Sequence, residues 1–327
     1  MLKVAVFIVL VAFPASAMVV TGAVPVSAPS GFTEGRCEPL QLTDDTEVEL
    51  YPLPSPDGSV VVFNQDEGDD HHHIYTVPAD GSKVKTDISP GSDTYWFPDY
   101  NPGGTHVCYA GGVDDMAFWE VVKYEIGGSE TVLTNNESSD LDSWMPRWSH
   151  GGGDIAYIRR DWDEYPNDDE FVVITSDGNN ERSVHTFSGL IYGIDWNPAG
   201  TELCVAGDDG SGGELYKCTP TTGAALTQVG SDTNVKDCHW STDGSKILYV
   251  VVDGANRLVK SINPDGSGEA TLFDKDTFSL TPSHAAWTAD GAGVIFHTEI
   301  GIADIYLTET FASITPTSFG AIKAGFH

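Results

Sequence analysis

The sequence predicts an all-β protein, a single six-bladed β-propeller of four-stranded antiparallel blades. A turn motif ending in glycine recurs six times, and five copies carry an aromatic residue four positions before that glycine. The steps between the glycines are 46, 48, 48, 44 and 47 residues. Periods of this length are typical of propellers, whose units bury their apolar faces only against their neighbours. The motifs occupy residues 54–58, 100–104, 148–152, 196–200, 240–244 and 287–291.

Short apolar runs after each turn support the same fold. β-Branched and aromatic runs bounded by turn residues such as Asp-Gly are typical of strands in tight hairpins. The first run of each unit covers residues 61–63, 107–109, 155–157, 203–205, 247–249 and 294–296. The second run covers residues 74–77, 121–124, 172–174, 215–218, 258–261 and 305–307. With an inner strand ending at the aromatic residue and an outer strand such as 131–134, each unit has four strands.

The two ends of the repeat array indicate how the ring closes. Residues 39–43 have the pattern of an outer strand but precede the first turn motif, and the sixth unit has no clear outer strand of its own. We expect residues 39–43 to pair into the sixth blade, because closure removes open sheet edges. No helical apolar stripe is expected between residues 37 and 310.

The motif Trp-Ser/Asn-Pro/Thr-Asp/Ala-Gly, followed by Ile-Ala/Leu-Tyr, resembles the TolB-like propeller repeat, a relative of the WD repeat. The resemblance covers roughly residues 38 to 310. It implies the propeller architecture and a tendency to bind other proteins, and it transfers no catalytic residue. The nucleophile-elbow pattern Gly-x-Ser-x-Gly of propeller-bearing serine peptidases does not occur in the sequence.

The chain ends are predicted to differ from the repeat. Residues 1–17 have the pattern of an export signal, with Lys3, an apolar core and a small-residue cleavage site at 15–17. Residues 18–36 are predicted to be a flexible linker, 37–310 the propeller, and 311–327 a tail with a short amphipathic helix. No later run is long enough to span a bilayer, so we expect a secreted protein, periplasmic or extracellular.

The charge balance limits the possible partners. The chain has 16 Lys and Arg against 49 Asp and Glu, a formal net charge of −33. Nucleic acid and anionic membranes require basic patches and are poor partners. Many acids fall in loops expected at one end of the propeller, where they would attract cations or a basic partner, although solubility charge explains them equally well.

Aromatic and acidic loop residues are the predicted binding surface. Exposed aromatic rings beside carboxylates suit a protein or carbohydrate partner. The candidates are Trp119, Trp162, Tyr165, Asp114, Asp115, Asp208 and Asp209. Asp208 and Asp209 also fit a simple turn. Trp96 and Trp144 are less suitable, since they could belong to inner strands.

Two acidic or histidine-rich segments are candidate metal sites. Asp161, Asp163, Asp168 and Glu170 have the alternating oxygen ligands of a calcium loop, without EF-hand spacing. The alternative is a plain acidic loop. His71 and His73 follow two aspartates and suit a transition metal, unless the run is only solvated. The sequence does not require a cofactor. If the protein has one, we expect it to be Ca²⁺ or a transition metal.

Two classes of function agree with these features. The first is a secreted, non-catalytic propeller that binds a protein or glycan through its acidic loop face, with or without divalent cations. The second is a metal-dependent polysaccharide lyase or hydrolase with its site in the central channel, as in some TolB-like enzymes. His239 and His284 occupy inner-strand positions on the same face. Whether histidines and carboxylates converge on the channel distinguishes the two.

The five cysteines are predicted to be mainly buried hydrophobic residues. Cys108 and Cys204 occupy equivalent repeat positions where other units have apolar residues. A Cys204–Cys218 bridge across one hairpin is the alternative, if both side chains point to one face.

Overall fold

A computed structural model describes residues 38–308, apart from 69–70, 92, 114–117, 137–140, 162–167, 211 and 299–302. Its strands form six four-stranded antiparallel sheets, as the sequence predicts. The first strand is β1 (Leu40–Gln41). Blade 1 contains β2 (Val48–Pro54), β3 (Val60–Asp66), β4 (His72–Pro78) and β5 (Thr86–Asp87). Blade 2 contains β6 (Tyr95–Tyr100), β7 (His106–Val113), β8 (Phe118–Glu125) and β9 (Glu130–Val132).

The remaining blades repeat this arrangement. Blade 3 contains β10 (Leu141–Trp148), β11 (Asp154–Asp161), β12 (Glu170–Thr175) and β13 (Arg182–Thr186). Blade 4 contains β14 (Ile191–Trp196), β15 (Leu203–Gly207), β16 (Glu214–Cys218) and β17 (Thr227–Thr233). Blade 5 contains β18 (Val235–Trp240), β19 (Ile247–Asp253), β20 (Asn256–Ile262) and β21 (Ala270–Asp274). Blade 6 contains β22 (Pro282–Trp287), β23 (Val294–Thr298) and β24 (Ile305–Leu307).

The ring closes as predicted. β1 supplies the outer strand of blade 6, with Leu40 opposite Leu307 and Gln41 opposite Tyr306. Leu42 follows directly, is fully buried, and donates its backbone N–H to the Ile305 carbonyl at 2.8 Å. Consecutive inner strands contact each other around the ring, including β22 with β2. The ring therefore leaves a channel lined by six inner strands.

The core lies between neighbouring blades, because each sheet presents apolar residues on both faces. Trp196 is fully buried, and its indole nitrogen donates to the Arg147 carbonyl of blade 3 at 3.0 Å. Trp196 therefore joins blades 3 and 4 as well as filling volume, whereas the indole nitrogen of Trp148 bonds within its own blade, to the Gly152 carbonyl.

Every inner strand contains a β-bulge. The pairing shifts by one extra residue between Leu50 and Leu53 in β2 and at the equivalent points of blades 2 and 3, and one position earlier, as between Val235 and Asp237, in blades 4 to 6. In blades 1 to 3 the bulge places a non-glycine residue before proline in the left-handed region: Tyr51 (φ 56°), Phe97 (φ 57°) and Met145 (φ 48°). Bulges redirect side chains locally, and here they set which residues face the channel.

One helix is present in the described part of the chain, α1 (Lys275–Phe278), capped by Asp274; it buries none of its residues and so forms no apolar stripe. One alternative from the sequence analysis is contradicted. The Cys204–Cys218 bridge is wrong: Cys204 lies opposite Lys217, and Cys218 opposite Leu203, so the two cysteines point to opposite faces of the sheet. Cys108, Cys204, Cys218 and Cys238 are buried and free.

The predicted domain boundaries stay predictions. The export signal at 1–17, the linker at 18–36 and the tail at 311–327 lie outside the described residues. Within those that are described, no helix has the length and apolar character needed to cross a membrane.

Candidate functional site

Two rings of equivalent inner-strand residues line the central channel. We call the residues five positions before each turn glycine the lower ring; they are Leu53, Asp99, Arg147, Asp195, His239 and Ala286. We call the residues seven positions before it the upper ring; they are Tyr51, Phe97, Met145, Gly193, Asp237 and His284. In the upper ring, blades 5 and 6 supply Asp237 and His284, whereas blades 1 to 3 supply Tyr51, Phe97 and Met145. In the lower ring, the charged residues come from blades 2 to 5.

A chain of carboxylates and imidazoles crosses blades 4, 5 and 6. His239 has its Nδ1 atom 3.7 Å from Asp195 Oδ2 and its Nε2 atom 3.4 Å from Asp237 Oδ1. His284 has its Nδ1 atom 2.9 Å from Asp237 Oδ2. The donor atoms of Asp237, His239 and His284 all lie within 4.8 Å of one another, the one such group of possible metal ligands among the described residues.

The charges within this chain are set by burial and by neighbours. Burial disfavours a charged His239, but Asp237 and Asp195 outweigh it and raise the pKa of His239 to about 10. Burial also opposes ionisation of Asp237, and the imidazoles of His284 and His239 nevertheless hold its pKa well below the usual range. His284 has one carboxylate neighbour only, and burial lowers its pKa, with His239 adding to the shift. His239 is therefore the protonated imidazole and His284 the neutral one.

His297 extends this group on the second strand of blade 6. Its ring lies 6.0 Å from the ring of His284, its register partner in β22. Burial, with His284 nearby, lowers the pKa of His297 to about 3. Neither His297 nitrogen nor Nε2 of His284 has a hydrogen-bond partner in the described structure, and Nε2 of His239 has only its 3.4 Å ion-pair contact with Asp237. Buried imidazole nitrogens without partners are costly unless they bind something.

Asp237 and Asp195 also hold the blades together. Asp237 accepts the backbone N–H of Ala285 at 3.0 Å, and Asp195 accepts that of Trp240 at 2.8 Å. Each bond joins one inner strand to the inner strand of the next blade. Gly193 allows the close approach of Asp237, since a Cβ atom at Gly193 would lie 2.8 Å from Asp237 Oδ1. These contacts orient the two carboxylates. They also give both buried carboxylates a hydrogen-bonding role in joining the blades.

An aromatic cavity of about 530 Å³ adjoins this group at blades 1 to 3. Its lining residues are Tyr51, His72, Thr94, Trp96, Phe97, Trp119, Trp144, Met145, Ile158 and Arg160. Tyr51 belongs to both features, because its ring lies 5.6 Å from the His284 ring and 4.3 Å from the Phe97 ring. The cavity and the histidine group are therefore neighbours across one tyrosine.

The candidate binding residues from the sequence fall in several places. Trp119 lies in the wall of the aromatic cavity, half-buried, with its ring 4.9 Å from that of Trp144. Asp208 accepts the backbone N–H groups of Gly210 and Gly212 at 2.9 Å each, so it organises a turn. Asp209 receives longer bonds from Ser188. Asp114, Asp115, Trp162 and Tyr165 lie outside the described residues.

The candidate metal ligands from the sequence are separated from the channel group. Glu170 accepts from Arg159 Nε at 2.7 Å, and Asp168 is exposed. Asp161 ends β11, and Asp163 is not described. His73 pairs with Asp87 at 3.2 Å, and His71 lies 3.4 Å from the Thr94 hydroxyl. The calcium-loop and His71/His73 sites stay predictions.

Sequence reasoning found His239 and His284 but missed Asp237, Asp195 and His297. One signal was available for Asp195. The repeat position five before the glycine reads Leu, Asp, Arg, Asp, His, Ala, which is unusually polar for an inner strand. The bulge that brings Asp237 to the channel has no such signature, and His297 lies on a different strand.

The fold and its channel define a six-bladed β-propeller with a titratable central site. Comparison with solved structures makes it a TolB-like propeller by fold. The putative TolB from Agrobacterium tumefaciens matches with a TM-score of 0.61 at 17% identity, covering 80% of this chain and 90% of that one. An oligogalacturonate lyase in complex with manganese matches with a TM-score of 0.59 at 12% identity, covering 84% and 93%. A gluconolactonase from Xanthomonas campestris matches with a TM-score of 0.63 at 11% identity, covering 83% and 89%.

Sequence comparison gives a narrower likeness. The intraflagellar transport protein 80 homolog of Mus musculus is 30% identical over 99 residues, which is 30% of this chain and 12% of that protein. The chain thus spans a small part of the curated relatives it matches. No family model matches the chain.

Proposed function

We propose that this chain is an exported, ligand-binding propeller whose binding site is the central channel, with a divalent transition metal held by Asp237, His239 and His284. The observation that carries the proposal is the convergence of their donor atoms within 4.8 Å. This replaces the acidic loop face as the main site, because described loop acids such as Asp208 and Glu170 are engaged in turns and ion pairs.

The donor set fits a first-row transition ion. Metal bonds to imidazole nitrogen and carboxylate oxygen are about 2.0–2.2 Å, so neighbouring donors in a tetrahedral site lie roughly 3.3 Å apart. The two nitrogen-to-oxygen distances at Asp237 are 3.4 and 2.9 Å. A metal would replace the proton of His239 between these groups. Asp195 beside Nδ1 of His239 provides the outer carboxylate that commonly orients a metal-binding histidine.

The aromatic cavity supports an organic ligand beside the metal. Cavities of about 300–1,000 Å³ with mostly apolar linings and a few polar groups are typical of small-molecule sites. Trp119 and Trp144 offer ring surface to a sugar or to a side chain of a protein partner. Tyr51 lines the cavity and contacts His284, so a ligand in the cavity would lie one side chain away from the metal ligands.

Metal titration tests the proposal. Chelator-treated protein should bind one Zn²⁺ or Mn²⁺ by isothermal titration calorimetry, with at least about tenfold weaker affinity in His284→Gln and in Asp237→Asn. His185→Gln, on an outer strand, is the matched control and should bind as the wild type does. Unchanged binding in both channel variants contradicts the proposal. Loss of binding in a His71/His73 variant, or Ca²⁺ binding lost in Glu170→Gln, would instead assign the metal to those segments.

A metal-dependent lyase or hydrolase is the second candidate function. The observations that favour it are the convergence of Asp237, His239 and His284 and a 530 Å³ cavity whose Tyr51 wall lies 5.6 Å from the His284 ring. When bound, a metal would polarise a substrate carboxylate or carbonyl group. Incubation of metal-loaded protein with uronate polymers and sugar lactones, followed by ultraviolet absorbance and proton release, tests this. Turnover abolished by His284→Gln supports it, and binding without turnover supports the non-catalytic function.

Export is tested separately. The small-residue site at 15–17 predicts that the mature chain begins at Met18. N-terminal sequencing of the protein recovered outside the cytoplasm would show that start, and an intact Met1 would contradict it.

A further inference from the structure

A second cavity, of about 330 Å³, lies at the end of the channel that carries the six turn motifs. All six lower-ring residues line it. Its ionisable lower-ring residues are Asp99, Arg147, Asp195 and His239, from four consecutive blades, and the exposed His150 lines its rim. The metal proposed above uses only His239 among these. Leu53 and Ala286 make the remaining side apolar. The cavity is thus half charged and half apolar.

Arg147 is a buried cation without a carboxylate partner. Arg147 is only 4% exposed. Nη1 donates to the carbonyl of Pro146 at 3.0 Å, and Nε has no hydrogen-bond partner. Among the ion pairs of the described residues, none within 4.0 Å includes Arg147. An unpaired buried charge costs several kcal/mol, so its retention points to something that binds there.

Asp99 is the matching buried anion in the neighbouring blade. Its Oδ2 atom accepts the backbone N–H of Trp148 at 2.6 Å, its one hydrogen bond in the described structure. Burial raises the pKa of Asp99 to about 6, and the charge of Arg147 limits this rise. Asp195, by contrast, already faces His239 and the Trp240 N–H. Asp99 and Arg147 therefore share a ring and a cavity but do not pair directly.

We propose that this lower cavity binds a small zwitterion of the α-amino acid class, with its carboxylate on Arg147 and its ammonium group on Asp99. Asp99 and Arg147 have opposite charges on neighbouring blades of the same cavity, and neither has a charged partner within ion-pair distance among the described residues. A ligand with separated, balanced charges suits them best. Its side chain would lie toward Leu53 and Ala286. Charge-assisted hydrogen bonds in a water-poor cavity are among the stronger polar contacts.

Blocked amino acids test the assignment of the two charges. The standard free amino acids are screened against full-length protein at neutral pH by thermal shift, and the best one is titrated beside its amide and its N-acetyl form. Each blocked form lacks one charge and should bind about tenfold more weakly or worse. Equal binding of either blocked form contradicts the proposal, and so does the absence of a shift with every free amino acid.

Matched variants assign each charge to its residue. Arg147→Met should lower the affinity for the free amino acid at least about tenfold. The affinity for the amide should stay unchanged, because the amide has no carboxylate. Asp99→Asn should lower the affinity for the free amino acid and leave the affinity for the N-acetyl form unchanged. Arg182→Met, on an outer strand, is the control. Circular dichroism confirms folding, and Arg147→Lys, which keeps the charge, should restore part of the affinity if Arg147→Met is unstable.

The metal proposal and the amino acid proposal can be refuted independently of each other. Amino acid binding should persist in His284→Gln, which removes a metal ligand but no lower-ring residue. Loss of amino acid binding in that variant, with Arg147→Met unaffected, would place the ligand in the upper ring and overturn the assignment.

Discussion

Substitution of Gly193 by alanine tests how closely blades 4 and 5 must approach for the channel group to form. A Cβ atom at this position would lie 2.8 Å from Asp237 Oδ1, 3.0 Å from Asp237 Cα and 3.0 Å from the backbone nitrogen of Cys238. Two of these atoms are backbone, so a side-chain rotation cannot relieve the clash. The two inner strands must separate by several tenths of an ångström.

The expected cost follows from that overlap. Overpacking a close-packed interior destabilises proteins by about 1–3 kcal/mol. Alanine also restricts the unfolded chain, which offsets this by about 0.4–1 kcal/mol. We therefore expect Gly193→Ala to lower the free energy of unfolding by about 1–2 kcal/mol. Because Asp237 is displaced relative to His284 of blade 6, Zn²⁺ affinity should fall at least about tenfold.

Urea denaturation and Zn²⁺ calorimetry measure the two effects. Gly153→Ala is the control, because a Cβ atom there meets nothing within 4 Å and its φ angle lies outside the left-handed range. Its stability should change by no more than about 0.5 kcal/mol. If Gly193→Ala matches the control in both stability and metal affinity, the close contact at Asp237 does not organise the site.

Two further predictions concern the histidine chain and ring closure. His239 has a pKa of about 10 in the folded protein, above its unfolded value near 6.5, so its stabilisation is complete below the unfolded value and is lost as pH rises through about 10. Urea denaturation of metal-free protein measures the difference in unfolding free energy between wild type and His239→Gln. This difference should decrease between neutral pH and pH about 10, and a constant difference would contradict the assignment. Leu42→Ala should lower the unfolding free energy by about 2–5 kcal/mol, since Leu42 is fully buried beside Ile305 where the ring closes. Exposed Val84→Ala is its control in thermal unfolding, and equal effects would mean that closure by residues 39–43 adds little.

The fold was predictable because its information is local and repeated. A turn from an aromatic residue to glycine recurs in five of the six units, and the strand after each turn has the same apolar pattern. Even the closure by residues 39–43 followed from counting strands, and the pairing of Leu40 with Leu307 confirms it. The sequence left one feature without periodicity open, the relative facing of Cys204 and Cys218, and the strand register excludes the bridge between them.

The site was harder to predict because it arises between blades. His239 was recognisable as an inner-strand residue, but its neighbours Asp195 and Asp237 depend on a bulge in each strand and on the packing of adjacent blades. The acidic loops were predicted to bind ligands because they contain many carboxylates. In the structure Glu170 binds Arg159 and Asp208 binds turn amides, which composition cannot distinguish from metal ligation. The residues that carry the site are fewer and buried.

Anomalous diffraction from crystals grown with Zn²⁺ locates the metal directly. The central claim predicts one strong peak in the channel, within bonding distance of Asp237, His239 and His284, and its loss in His284→Gln. A channel without a peak, with the metal instead at His71 and His73 or at the loop of Asp161 and Glu170, would contradict it.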